Sequence, residues 1–150
     1  MTDSIQGFAG TFAFLSNLYP SPIEWKKFLF PTVENAFQAA KTVDSAAWER
    51  LTELSPDAAA AFGRTVSLRS DWDEARLLVM AELLALKFEI PALRRRLIAT
   101  HPRPLINDAW WGDRFWGVTR GAGENHLGRL LMERRAALSE RDHSAAKCSR

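Results

Sequence analysis

One cysteine, Cys148, stands near the C-terminal end of the 150-residue chain, so there is no disulfide framework and a Cys-based zinc site has no partners. No apolar run is long enough to span a bilayer. The opening MTDSIQGFAG lacks the basic and apolar regions of an export signal, and a cytoplasmic protein with no membrane contact is the expectation. A strong excess of charge of either sign is lacking as well. Twenty Lys and Arg stand against eighteen Asp and Glu, a balance of +2, so any binding of nucleic acid rests on local clustering. No repeat and no Ser/Gly-rich linker interrupts the chain. With 47% hydrophobic and 25% charged residues it is ordinary globular material, enough for one domain with a sizeable core.

The first thirty residues are Phe-rich and broken by Gly7, Gly10, Pro20 and Pro22, which predicts short strands near Thr11 to Leu15 and Ile23 to Phe30. After Pro31 the period changes to 3.6. Val33, Ala36, Phe37 and Ala40 form the apolar face of a first helix capped by Thr32, and Asp44 or Ser45 and then Ser55-Pro56 open two more. Asp71 or Asp73 opens the strongest helical pattern, with Leu77, Met80, Ala81, Leu84 and Phe88 on one face. Pro91 opens a further helix that stops before His101-Pro102. A short strand at Leu105-Ile106 leads into a long loop, and a last helix runs from Asn125 to about Leu138. The expected fold is therefore mainly α (α+β), a helical core with a small β element near the N-terminus. Residues 1–138 form the domain and the polar stretch 139–150 frays.

Three places depart from what packing alone asks. Glu34, Gln38 and Lys41 share one helix face, which reads either as a converging carboxylate, amide and ammonium or as a solvated polar face. In Phe14-Leu15-Ser16-Asn17-Leu18-Tyr19-Pro20, Asn17 can donate and accept and Phe14 or Tyr19 can stack on a planar base; the alternative is a turn beside core aromatics. The stretch Trp110 to Asn125 carries three tryptophans and glycines at 117, 121 and 123. It is a functional loop ending on a helix start that can receive phosphate, or an Ω-loop held down by its own tryptophans.

Taken in order, Phe14 to Pro22, Pro31-Thr32-Val33-Glu34-Asn35-Ala36-Phe37-Gln38-Ala39-Ala40-Lys41, Gly63-Arg64, Asp71-Trp72, Lys87-Phe88, Trp116-Gly117 and Gly123 to Met132 resemble the NADAR, or YbiA-like, family. The resemblance spans about residues 8 to 135. It implies a small, mainly helical fold that hydrolyses N-glycosidic bonds without metal or other cofactor. The substrates it implies are ribosylamino-pyrimidine intermediates of riboflavin synthesis, or ADP-ribose attached to guanine in nucleic acid. Members of the second kind are paired with DNA-modifying ADP-ribosyltransferases as their antidotes. Carried over by position, the catalytic glutamate falls on Glu34, a second acidic position on Asp113 and the active-site tryptophan on Trp116.

The chemistry such a reaction needs agrees with this assignment. An oxocarbenium-like centre at C1′ calls for a carboxylate beside it and a proton source for the departing nitrogen. Glu34 and Asp113 can divide these roles while Trp116 walls the base. Lys41, Arg114 or Arg120 can hold phosphate, and Phe14, Ser16, Asn17, Gln38 and Asn125 complete the expected substrate-binding set. Two positions depart from the family: Asn35 where a His is common, and Asn107 where many members are acidic.

Three readings follow: removal of ADP-ribose from guanine in DNA, hydrolysis of small ribosylamines, or non-catalytic binding of ADP-ribose or nucleotide. Arg94, Arg95, Arg96 and Arg103 are expected either to form a basic strip that a DNA substrate uses or to lie on a solvated helix face.

Overall fold

The computed structural model describes residues 3–148, and the chain divides into two compact units, Ser16–Lys87 and the remainder on either side of it. The architecture is mainly helical with short strands, as the periodicity predicts.

In the unit Ser16–Lys87, a hairpin of β1 (Ile23–Trp25) and β2 (Phe28–Phe30) pairs Ile23 with Phe30 and Trp25 with Phe28. Its turn places Lys26 and Lys27 at positive φ, the backbone that a two-residue hairpin requires. Helix α1 (Val33–Ala40) follows, capped by Thr32, whose hydroxyl accepts from the Asn35 N–H. α2 (Ser45–Leu51) is capped by Asp44, and α3 (Pro56–Gly63) by Ser55 with Pro56 at its first position. α4 (Trp72–Lys87) closes the unit.

α1 packs against α2, α3 and α4. Ala36, Ala39 and Ala40 present so little side chain that neighbours can approach its backbone closely, and every residue of α1 except Glu34 is buried. Asn35 shows what such an interior demands. Its Nδ2 donates to the carbonyls of Leu51 (2.9 Å) and Leu54 (2.8 Å), and its Oδ1 accepts from the Thr32 hydroxyl. The departure at this position thus serves packing, stitching the start of α1 to the end of α2.

Lys87 is the other demanding side chain. It is fully buried, its Nζ donates to the Ser16 carbonyl at 2.8 Å and lies over the Tyr19 ring, and burial pushes its pKa down to about 7.

The other unit pairs β3 (Ile5–Gln6) in parallel with β4 (Leu105–Ile106). It also contains α5 (Pro91–Ala99) and α6 (His126–Cys148). Its core gathers Ile5, Phe14, Leu15, Phe88, Leu93, Leu97, Leu105, Leu127, Leu131 and Leu138. Arg135 of α6 is buried and donates to the Thr100 hydroxyl and the Arg103 carbonyl, tying the end of α5 to α6.

Two expectations change here. Gly10–Leu15 is a 3-10 helix rather than a strand, with Gly10 at positive φ and the rings of Phe12 and Phe14 beneath Arg103 and Arg96. The stretch from Ser139, expected to fray, continues α6 to Cys148. Its Ala, Glu, Arg and Lys residues are good helix formers, and ion pairs of Arg141 with Glu89 and of Asp142 with Arg94 hold it to the rest of the unit. Among the described residues no helix is long and apolar enough to cross a membrane.

Asn35→Ala leaves two carbonyls and a hydroxyl without their partner, and urea unfolding should report a loss of about 2 to 4 kcal/mol with an unchanged m-value. For Lys87 the folded pKa lies below the unfolded one. The unfolded chain therefore holds more protons between about pH 7 and the ordinary lysine range, and wild-type stability rises with pH across that window. Lys87→Met removes this slope, so the stability difference between variant and wild type at pH 9 should be shifted in favour of wild type relative to pH 6.5, again by urea unfolding.

Candidate active site

Glu34 sits in the first turn of α1, where its backbone N–H donates to the Asn17 carbonyl at 3.1 Å. That bond joins the segment Ser16-Asn17 to the helix. One turn on, Gln38 Nε2 donates to Glu34 Oε1 at 2.6 Å. Gln38 itself is 5% exposed, so the polar stripe is not a solvated face: only Glu34 leaves the packed surface of α1. Lys41, at the end of the same helix, is half-buried. Desolvation lowers its pKa, the Glu34 carboxylate raises it in part, and the Arg64 guanidinium lowers it further. The unit thus brings together Asn17, Glu34, Gln38 and Lys41.

Two amide oxygens there, Asn17 Oδ1 and Gln38 Oε1, are buried without a hydrogen-bond partner among the described residues. Asn17 Nδ2 meets only the soft sulfur of Met80, at 3.7 Å. Ser16 has a different duty. Its hydroxyl accepts from the Leu18 N–H and its carbonyl from Lys87. Lys87 is the residue that periodicity alone misses. It lies at the end of the apolar run Leu83-Leu84-Ala85-Leu86, and a basic residue in such a setting is the one local signal of a buried amine.

In the other unit, residues 107–125 form a loop closed on itself. Val118 N–H donates to Asn107 O and Ala109 N–H to Val118 O, both at 2.8 Å, and the Thr119 hydroxyl donates to Ala109 O. Gly117 is required by close approach: a Cβ there would lie 2.9 Å from that of Ala109 and closer still to the Asn107 carbonyl. Asp113 Oδ1 accepts from the N–H groups of Phe115 (3.1 Å) and Trp116 (2.9 Å). The Trp116 and Phe115 rings meet edge to face, and Phe115 also packs on His126.

Asn125 brackets this loop. It adopts positive φ, accepts from the Asn107 N–H through Oδ1 and donates to Leu105 O through Nδ2. The N–H groups of Asn125, His126 and Leu127 go to the carbonyls of Gly117, Phe115 and Trp116. The phosphate seat expected at this helix start is therefore filled by the chain's own loop. Trp110 and Trp111 do not hold the loop down; they are 83% and 59% exposed and meet edge to face at 5.8 Å. Arg114 and Arg120 are exposed beside them in sequence.

The structure also resolves the arginine strip. Arg94 is paired with Asp142, Arg96 lies 4.2 Å from the Phe14 ring centroid and donates to Thr11 O, and Arg103 donates to Asp3 O over Phe12. Phe14, expected to stack on a base, is buried beneath Arg96 instead. Among the described residues no group of His, Cys, Asp and Glu is placed to hold a metal ion.

Comparison with known proteins bears on what these parts do together. The chain is 39% identical over 150 residues to N-glycosidase YbiA of Escherichia coli (strain K12), covering 93% of this chain and 91% of that protein. It is 38% identical over 125 residues to N-glycosidase Npun_R5314 of Nostoc punctiforme, covering 78% and 80%. Riboflavin biosynthesis protein PYRR of Zea mays is 35% identical over 147 residues, across 85% of this chain and 23% of the plant protein. An NMR structure of the E. coli protein YbiA superposes with a TM-score of 0.84 at 35% identity, covering 95% of this chain and 89% of that one. The NADAR domain matches residues 6–139, and the chain belongs to the NADAR domain family.

Proposed function

We propose that the N-glycosyl bond this protein hydrolyses joins C1′ of a ribose to a nitrogen of guanine, that the sugar belongs to ADP-ribose carried on DNA, and that Glu34 is the catalytic carboxylate. The observation that carries the chemistry is the Glu34–Gln38 pair: the carboxylate of the one α1 residue that is not buried, held by an amide donor at 2.6 Å. Such a group can stabilise positive charge developing at C1′ or take a proton from attacking water. Lys41, half-buried at the end of the same helix and within electrostatic reach of Glu34, is a candidate for phosphate contact, and the desolvation that lowers its pKa suits it to proton transfer. Asn17 Oδ1, lacking a partner, is suited to a ribose hydroxyl or a base N–H.

Support for a nucleic-acid substrate comes from the exposed pair Trp110-Trp111, which offers indole faces to unstacked bases. Arg95, Arg114 and Arg120 are exposed and have no ion-pair partner among the described residues. Small ribosylamines remain the second reading, favoured by the internal engagement of Arg94, Arg96 and Arg103 and by the name of the plant relatives. For Asp113 the role follows the resemblance. Its Oδ1 accepts from two backbone N–H groups, which fix the carboxyl on the loop.

The deciding experiment incubates the protein with an oligonucleotide carrying ADP-ribosyl-guanine and weighs the products. Wild type should return guanine and free ADP-ribose. Glu34→Gln keeps the shape and an acceptor for Gln38, and should lose on the order of 10² to 10³-fold in turnover while remaining folded. Normal turnover by this variant removes Glu34 from the chemistry, and no release by wild type moves the substrate to small ribosylamines. Asp113→Asn retains the oxygen that accepts from residues 115 and 116, so its melting temperature should hold while turnover falls about 10²-fold. Unchanged turnover in that variant assigns Asp113 to loop structure alone.

A further inference from the structure

We infer that Gln38 is a positioning residue for Glu34 and that Gly63, the last residue of α3, is the seat that holds it in place. The inference rests on Glu34 being the catalytic carboxylate. An i, i+4 amide–carboxylate pair on an exposed helix contributes little and needs no third residue. Here the pair is built differently. Gln38 is buried, and its amide lies against Gly63 so closely that a Cβ there would come 2.6 Å from Gln38 Cδ and closer still to Oε1. Any side chain at position 63 therefore displaces the amide that touches Glu34.

The orientation of that amide is set by Glu34. Turning it over would put Oε1 against a carboxylate oxygen, so Nε2 must face Glu34. Oε1 is then left buried with no hydrogen-bond partner among the described residues. An unsatisfied buried acceptor is destabilising, a penalty that packing alone would remove by placing an apolar side chain there. Holding Glu34 accounts for its retention. An amide also fixes a carboxylate without cancelling its charge. Lys41, at the end of α1, and Arg64, next to the seat, are the cations in electrostatic reach of one another here, and Lys87 is buried on α4.

The test uses the full chain with Gly63→Ala, Gln38→Met, the double variant and Glu34→Gln. One readout needs no substrate: the 13C-carboxyl titration of Glu34, assigned by its absence in Glu34→Gln. In both single variants the titration midpoint should rise, because the ionised form loses an N–H donor. With the ADP-ribosyl-guanine oligonucleotide, kcat should fall about tenfold to 10²-fold with KM little changed, and the double variant should be no worse than the poorer single one. Should Gly63→Ala fail to fold, Gln38→Met decides. Unchanged midpoints in folded variants, or additive losses in the double variant, overturn the inference. A raised midpoint together with normal turnover by Glu34→Gln leaves the positioning intact and overturns the catalytic reading instead.

Discussion

Burial of α1 on several sides is the constraint from which the unit Ser16–Lys87 follows. A helix whose neighbours approach its backbone must be small-faced, which Ala36, Ala39 and Ala40 provide. It must also satisfy each polar group it carries within the protein. Asn35 meets that demand with three internal hydrogen bonds, and Gln38 meets half of it. Glu34 is the one residue of α1 that is not buried, so its exposure is a product of packing as much as of its own chemistry. The same burial depresses the pKa of Lys41, and that of Lys87 on α4 falls for a like reason.

The remaining unit solves a different problem, the anchoring of a long loop that has little regular structure. Its backbone donors and acceptors are matched internally, through Asn107, Asn125 and the opening N–H groups of α6. A helix N-terminus that would otherwise attract an anion becomes a dock for carbonyls. The loop can then leave Trp110 and Trp111 exposed, because they carry none of its internal hydrogen bonding.

Local signals announced the helices well. Thr32, Asp44 and Ser55 cap the helices they precede, and Pro91 begins α5. Where contacts join residues far apart in the chain, the sequence was mute. Thr11 to Leu15 reads as a strand because a short apolar run has no decisive period; the 3-10 helix there packs beneath Arg96 and Arg103, more than eighty residues on. Read locally, the arginines fit a DNA-facing strip or a solvated helix face, and the partners Asp142, Thr11 and Asp3 that engage three of them lie on other segments. Glu34 and Gln38 were visible as a stripe, but whether that stripe was wet or buried depended on Gly63 in a different helix. Family resemblance named the glutamate; it did not reveal what holds it.

The exposed indole pair also gives the protein an optical handle. A tryptophan in water emits at longer wavelength than one in a core, so the red side of the emission band is weighted toward Trp110 and Trp111 over the buried Trp25 and Trp72. Their emission reports on whatever settles on the tip of the loop, while the blue component follows the core of the unit Ser16–Lys87. Association and unfolding can thus be watched as two colours in one unlabelled sample.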